Sequence, residues 1–297
     1  MPAASQGGGC SADNRGASIV GSAPVENAYL ILELAKPWPK KVKAQGAIAE
    51  FKPLLKGSKE EVKLLATPRI DWLPLCQRPW ALLVRWKDGQ ALIQELPGHP
   101  EEIKAALDGA PSGHSYPLYL VCTHGTRDRC CGTLGFPVYR TLVEKSSRKV
   151  LQVSHLGGHR FAPVVLALPE WRFFGHLDTT TCLDLDAALA EGRAYLPGFR
   201  GHGRLPEELQ PIEAKLWEDH GPNLCAVTAY AGLGSPNVLV KARFGDGTER
   251  AYQARMGVQQ LRGFKSCEDI AGGKSKTSEL PALESLKEVS PSSLQPS

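Results

Sequence analysis

Two phrases concentrate the thiols and imidazoles of this chain. The first reads Cys122-Thr-His-Gly-Thr-Arg-Asp-Arg-Cys130-Cys131 and the second His155-Leu-Gly-Gly-His159. Thiolate and imidazole donors suit Zn²⁺ and iron–sulfur clusters alike. A structural zinc site usually draws one ligand pair from a tight knuckle, with about two to four residues between its cysteines. Cys122 and Cys131 enclose eight, a loop wide enough to wrap a larger inorganic core, and spacing alone leaves both metals open. Gly157 and Gly158 would let backbone approach such a core and aim N–H groups at it. Cys130 competes with Cys131 for the second sulfur position. Adjacent loop residues point different ways, so Cys130 is read as a buried thiol beside the site, and His124 as a loop histidine bonded to backbone.

The two phrases do chemistry together only if the fold joins them. A strand-like run at 116–121 leads into the first and another at 150–154 into the second. Between them a helix is predicted to start at Pro137, a residue suited to the first helical position, with Leu134, Val138 and Leu142 recurring every four residues. If the two strands are parallel neighbours, the loops at their carboxyl ends lie side by side. Apolar runs at 164–168 and 172–177 and a helix at 183–195 complete this segment. The same order occurs earlier. A strand at 28–34 precedes a helix with Ile48, Phe51 and Leu55 on one face; strands at 62–66, 81–86 and 91–96 follow, then a helix at 100–107. Asp88-Gly89 between the last two strands signals a hairpin turn.

Strand, helix, three strands and helix, with a parallel start and an antiparallel end, is the order of a thioredoxin-like unit. The chain states it twice. The expected fold is therefore α/β, with two thioredoxin-like units in tandem. The first, at 25–108, is degenerate, with Lys36-Pro-Trp-Pro-Lys40 where the second, at 114–200, has its cysteine loop. An appendage at 204–265 combines a helix at 206–220 with a hairpin turning at Gly245-Asp-Gly247. Residues 1–24 read as a mobile N-terminus and 271–297 as a disordered tail, since their compositions bury little apolar surface.

Composition narrows the classes. The 297 residues, 42% hydrophobic and 22% charged, are those of a globular protein with room for two ordinary domains. A net charge of +4, from 35 basic and 31 acidic residues, is too small a surplus to imply nucleic acid. No apolar run approaches the roughly 20 residues of a membrane span, so no membrane role is expected. The opening MPAASQGGGC lacks a basic region followed by an apolar core and is not read as a secretory signal. The eight cysteines then read as reduced thiols or metal ligands, and a cytoplasmic location is expected.

At the ligand phrases the chain resembles the sucrase/ferredoxin-like family. The stretches CTHGTRDRCCGTLGFPVY and SHLGGHRFAPVVLALPEWRFFGHLD match its motifs, and the similarity reaches back to CSADNRGASIVGSAP and LILELAKPWP, covering most of residues 10–200. The resemblance implies a thioredoxin-like ferredoxin domain holding a 2Fe-2S cluster, with Cys122 and Cys131 on one iron and His155 and His159 on the other. It implies an electron-transfer protein. Bis-histidine ligation would give a moderately high potential, and a proton on the outer imidazole nitrogen would couple that potential to pH.

A carrier of this kind needs a redox partner such as a reductase. Arg127, Arg129, Arg140, Lys145, Arg148, Lys149 and Arg160 crowd the neighbourhood, and read equally as a docking face or as solvated charge. Two other classes compete. One is a thiol–disulfide or peroxide-reducing enzyme using Cys130 or Cys131 at a helix start; the lack of a Cys-x-x-Cys sequence stands against it. The other is a structural zinc module. Cys10 lies in the N-terminal match and carries no assigned role. His176, Cys76, Cys182, Cys225 and Cys267 sit on or beside apolar segments, where cysteine is often a small hydrophobe.

Overall fold

The computed structural model describes residues 9–44, 48, 50–75 and 79–290. In its first sheet β1 (Ala28–Glu33) leads through α1 (Phe51–Gly57) to β2 (Val62–Thr67), which lies parallel to β1. On the other edge of β1 runs antiparallel β3 (Trp80–Lys87), which turns into β4 (Gln90–Pro97), followed by α2 (Pro100–Asp108). The turn residues Asp88 and Gly89 take positive φ, 49° and 87°, as a two-residue hairpin requires.

The second sheet repeats this plan. Strand β5 (Leu118–Cys122) leads through α3 (Arg129–Lys145) to parallel β6 (Lys149–Val153), then come antiparallel β7 (Val165–Leu168), β8 (Arg172–Phe174), α4 (Thr181–Ala190) and β9 (Phe199–His202). The strand orders are β2-β1-β3-β4 and β6-β5-β7-β8-β9. The chain is thus a mixed α/β protein in which one order occurs twice.

Alternation along the strands builds the core. Tyr29 and Ile31 of β1 share one buried cluster with Leu118, Leu120 and Cys122 of β5, so the two sheets bury a face against each other. Ala28, Leu30 and Leu32 belong instead with Phe51, Ile103 and Leu107 of the first unit's helices. Tyr119 and Val121 belong with Val138 and Leu142 of α3 and Leu185 of α4. Both central strands are buried on two faces, which is why they read as unbroken apolar runs.

The C-terminal part departs most from expectation. After α5 (Gln210–His220) come β10 (Leu224–Ala231), β11 (Asn237–Phe244), β12 (Glu249–Gly263), α6 (Cys267–Ala271) and β13 (Lys276–Val289), and the four strands form an antiparallel meander. The expected hairpin is only its middle. Strand β13 occupies most of the stretch 271–297 expected to be a disordered tail. It pairs with β12 from Ala251↔Val289 to Gly263↔Lys276, so its backbone bonds replace the apolar burial that its composition lacks. Residues 291–297 lie outside the described residues, as do 1–8 and Cys76. The rest of the supposedly mobile N-terminus is tied down. Cys10, Ser11, Ile19 and Ala23 are buried, and the N–H groups of Gly21 and Ser22 donate to the Arg200 carbonyl. Among the described residues no helix is long and apolar enough to cross a membrane.

Two histidines make the fold sensitive to acid. Burial, helped by Arg172 and Arg204, pushes His202 from its ordinary 6.5 down to about 3; burial, helped by Arg15 and Arg200, takes His176 to about 4. Below 6.5 the unfolded chain therefore binds protons that the folded chain refuses, and stability is expected to fall as pH drops from about 6.5 toward about 4. Urea midpoints at about pH 7 and about pH 5 check this. A midpoint that holds or rises at the lower pH would contradict it.

Candidate metal centre

Cys122 ends β5 and is the register partner of Val153, which ends β6, so the two ligand loops start side by side. The Thr123 N–H donates to the Val153 carbonyl at 3.0 Å, and the Ser154 N–H donates to the Ala66 carbonyl of β2 at 2.8 Å. The Ser154 hydroxyl accepts the Ala66 N–H at 2.9 Å. His155 follows this double tie. Its N–H donates to Nδ1 of His124 at 3.2 Å, while Nε2 of His124 donates to the Pro39 carbonyl at 3.1 Å. An accepting Nδ1 requires the proton on Nε2, which fixes the tautomer. His124 is thus bonded to backbone, as expected, and it positions His155.

Helix α3 begins at Arg129, and Pro137 lies inside it. The overlooked start signal is Asp128, whose carboxylate accepts the Cys130 N–H at 2.9 Å, an N-cap. Cysteine and glycine are weak helix formers, so Cys130-Cys131-Gly132 reads as loop. On the helix, adjacent residues are turned about 100° apart. Cys131 enters the core cluster that holds Cys122, and Cys130 faces Cys10.

The helix also crowds the cysteine loop. A Cβ at Gly135 would stand 2.1 Å from the Cys122 carbonyl oxygen, and one at Gly132 2.8 Å from Cα of Gly125. Gly135→Ala is expected to push α3 off the end of β5, at a cost of about 1–3 kcal/mol. The thermal midpoint checks it; a wild-type value would contradict the close approach.

Three of the four expected ligands converge. Nδ1 of His155 lies 3.9 Å from Sγ of Cys122 and 3.9 Å from Sγ of Cys131, and all three donor atoms fall within 4.8 Å of one another. His159 is outside that triangle. Its ring stands 5.1 Å from the His155 ring, centroid to centroid, and its Nε2 is 4.0 Å from Oδ2 of Asp128. Its Nδ1 is buried with no hydrogen-bond partner. A hydrogen bond from the Cys131 thiol, helped by His155, holds Cys122 well below the ordinary thiol range, and the same bond, with burial, pushes Cys131 up. One proton between two sulfurs leaves Cys122 ready as a thiolate. Burial lowers His159 against the pull of Asp128, favouring the neutral imidazole that ligates metals.

This donor set fits a metal or cluster. An unpaired buried nitrogen is costly, and a ligand on Nδ1 of His159 would relieve it. Nε2 turned toward a carboxylate is the orientation metal-binding imidazoles take.

Other elements close the site. Gly157 and Gly158 have φ of 115° and 71°, and a Cβ at Gly158 would meet the Arg200 guanidinium at 2.5 Å. Arg200, 2% exposed, donates from Nη1 to the Gly157 carbonyl at 3.1 Å, from Nε to the Ser22 hydroxyl at 3.2 Å and from Nη2 to the Ser22 carbonyl. Nothing in the sequence pattern marks Arg200, which belongs to β9 at the far end of the unit. From the first unit, Lys36 Nζ donates to Thr123 Oγ1 at 3.2 Å and to Gln152 Oε1 at 2.7 Å, and the Trp38 ring meets His124 edge-on at 5.5 Å. The segment that lacks ligands covers the loop that has them.

The basic neighbourhood is smaller than the sequence suggests. Arg148 pairs with Glu170 at 2.8 Å, Lys149 lies over the rings of Trp72 and Tyr116, and Arg160 donates to Ser278 and stacks on Phe161. Arg129, Arg140 and Lys145 are exposed and Arg127 is half-buried. Cys10 and Cys267, given no role from sequence, gather with Cys130 and Asp128 in a second group of potential ligands. They are too far apart in the chain for spacing to reveal it. Cys182 is a buried core residue and Cys225 is exposed. A family model described as sucrase/ferredoxin-like matches residues 19–201. No curated protein and no solved structure matches the chain.

Proposed function

The chain belongs to the sucrase/ferredoxin-like family, and on that basis we propose that it is an electron carrier whose 2Fe-2S cluster is held by Cys122, Cys131, His155 and His159. The observation that carries this reading is the convergence of two thiols and the His155 imidazole, with the unbonded Nδ1 of His159 beside them. We read the repeated strand order as two thioredoxin-like units, the first degenerate and the second ligand-bearing. When bound, a cluster of this kind supplies one-electron transfer.

Cys122 and Cys131 are assigned to one iron, and His155 and His159 to the other through Nδ1. Two neutral imidazoles in place of thiolates leave the site less negative and favour the reduced form, hence a moderately high potential. An imidazole gives up its outer proton more readily when its metal is oxidised. The potential is therefore expected to fall as pH rises, by up to about 59 mV per pH unit for one proton per electron. Arg127 and Arg129, at the head of α3 beside the ligands, form the face for a redox partner such as a reductase, steered by opposite charge in the cytoplasm; Arg140 pairs with Glu144, and Lys145 ends α3 about 24 Å away.

One observation favours a second reading. A tetrahedral zinc with Zn–S near 2.3 Å and Zn–N near 2.0 Å sets sulfur and nitrogen about 3.5 Å apart, within a few tenths of the 3.9 Å found at His155. His159 lying outside the triangle speaks for a larger core. The thiol-enzyme reading has its helix start, but Cys130 and Cys131 are 3% and 0% exposed, closed to a substrate. Anaerobic purification of the full chain with metal and sulfide analysis separates the three. About two irons and two sulfides per chain with visible colour are expected. Zinc in their place would make the site a zinc module, and no metal would leave thiol chemistry.

A further inference from the structure

Beside the first ligand group lies another that the electron-carrier reading does not use. Cys10 comes from the N-terminal segment, Asp128 and Cys130 from the head of α3, and Cys267 is the first residue of α6. Their donor atoms lie within 4.8 Å of one another. The Cys10 sulfur is 3.7 Å from that of Cys130 and 3.8 Å from that of Cys267, and the last two are 3.3 Å apart. Oδ1 of Asp128 stands 3.7 Å from the Cys10 sulfur and 3.1 Å from the Cys267 sulfur. We propose that Cys10, Cys130, Cys267 and Asp128 form a second metal site, which takes a structural zinc ion.

The edges of the group carry the assignment. Tetrahedral zinc with sulfur near 2.3 Å and oxygen near 2.0 Å spaces its sulfurs about 3.8 Å apart and sulfur from oxygen about 3.5 Å. Two sulfur separations, 3.7 and 3.8 Å, match, the 3.3 Å between Cys130 and Cys267 is shorter, and the sulfur–oxygen distances of 3.1 and 3.7 Å straddle the expected value. Three thiolates and a carboxylate fill four positions, leaving none for a substrate, which is the pattern of a structural site. The surroundings are shaped for it. Cys10, Cys130 and Asp128 are buried, and the Cys267 N–H donates to Oδ2 of Asp128 at 2.9 Å. A Cβ at Gly9 would stand 2.3 Å from the Cys130 sulfur and 3.2 Å from that of Cys267, so backbone lies directly on the thiols. A disulfide between Cys130 and Cys267 would use only two of the four groups and leave the Cys10 thiol and the carboxylate beside it. Zinc uses all four, and it pins the N-terminal segment and α6 to α3 beside the first ligand group.

The test is metal analysis and zinc X-ray absorption on the full chain purified under reducing conditions. About one zinc per chain is expected, in a shell of three sulfurs near 2.3 Å and one oxygen near 2.0 Å. Cys10→Ser and Cys267→Ser should each lose most of the zinc and keep the iron, whereas Cys122→Ser should lose the iron and keep the zinc. The absorption spectrum of the wild type decides even if a variant fails to fold. Iron without zinc, or a Cys130–Cys267 disulfide found by mass spectrometry in its place, overturns the zinc site and leaves the electron carrier standing. A shell of two sulfurs and two nitrogens puts zinc on the first group and overturns both readings.

Discussion

His155→Ala is expected to abolish cluster binding, whereas replacing His155 and His159 together by cysteine keeps a cluster and lowers its potential by roughly 250 mV or more. His155 is the pivot because its Nδ1 is equally close to both thiols, 3.9 Å from each. Alanine there removes the nitrogen that joins the sulfur pair to His159. Two thiolates in place of two neutral imidazoles add negative charge to each oxidation state and penalise the reduced one more. All-cysteine and bis-histidine centres differ in this sense, near −400 mV for plant-type ferredoxins against about −150 to +300 mV for Rieske centres. A redox titration followed by visible absorption reads the shift. An unchanged potential in the double-cysteine variant would remove the histidines from the ligand set.

Arg200→Leu is expected to cost about 3 kcal/mol or more and to release the cluster from otherwise intact ligands. The guanidinium serves the Gly157 carbonyl and both the carbonyl and the hydroxyl of Ser22. Removing it strands partly buried acceptors on two segments at once, each costing up to about 1–3 kcal/mol. It also frees the His155–His159 turn, which closes on Arg200 where Gly158 has no side chain. Arg200→Lys should recover only part of the loss, because an ammonium cannot reproduce the planar fork. The positive charge acts on Cys122 from within the fold, so cluster retained in Arg200→Leu should show a lowered potential, and cluster retained in Arg200→Lys, which keeps the charge, should not. Urea midpoints and the rate of colour loss measure the two effects; wild-type values in Arg200→Leu would show that the turn holds itself.

The site was legible in the sequence wherever local pattern and topology suffice. Apolar runs before Cys122 and His155 mark β5 and β6, and their parallel pairing follows from the helix between them. Glycines at 157 and 158 mark a turn of unusual φ. What lay hidden depends on a weak local signal or on partners distant in the chain. Asp128 is a cap only because a helix starts at a Cys-Cys-Gly run of poor propensity. Arg200 joins the turn from a strand more than one element away. Cys10 and Cys267 meet Cys130 because a polar C-terminal segment forms β13 by backbone pairing with β12, with few apolar residues to signal it. The helix expected to start at Pro137 is present but begins at Arg129, where the capping carboxylate of Asp128 outweighs the positional preference of proline.

The central claim is that two imidazoles and two thiols of this chain share one redox-active core. Electron–nuclear double resonance of the reduced full chain, grown with ¹⁵N-histidine, tests it most directly. Two strongly coupled nitrogens that respond to the label, one lost in His155→Cys and the other in His159→Cys, are the result expected. A reduced cluster whose spectrum carries no histidine nitrogen, or a chain with no paramagnetic state at all, would contradict the assignment.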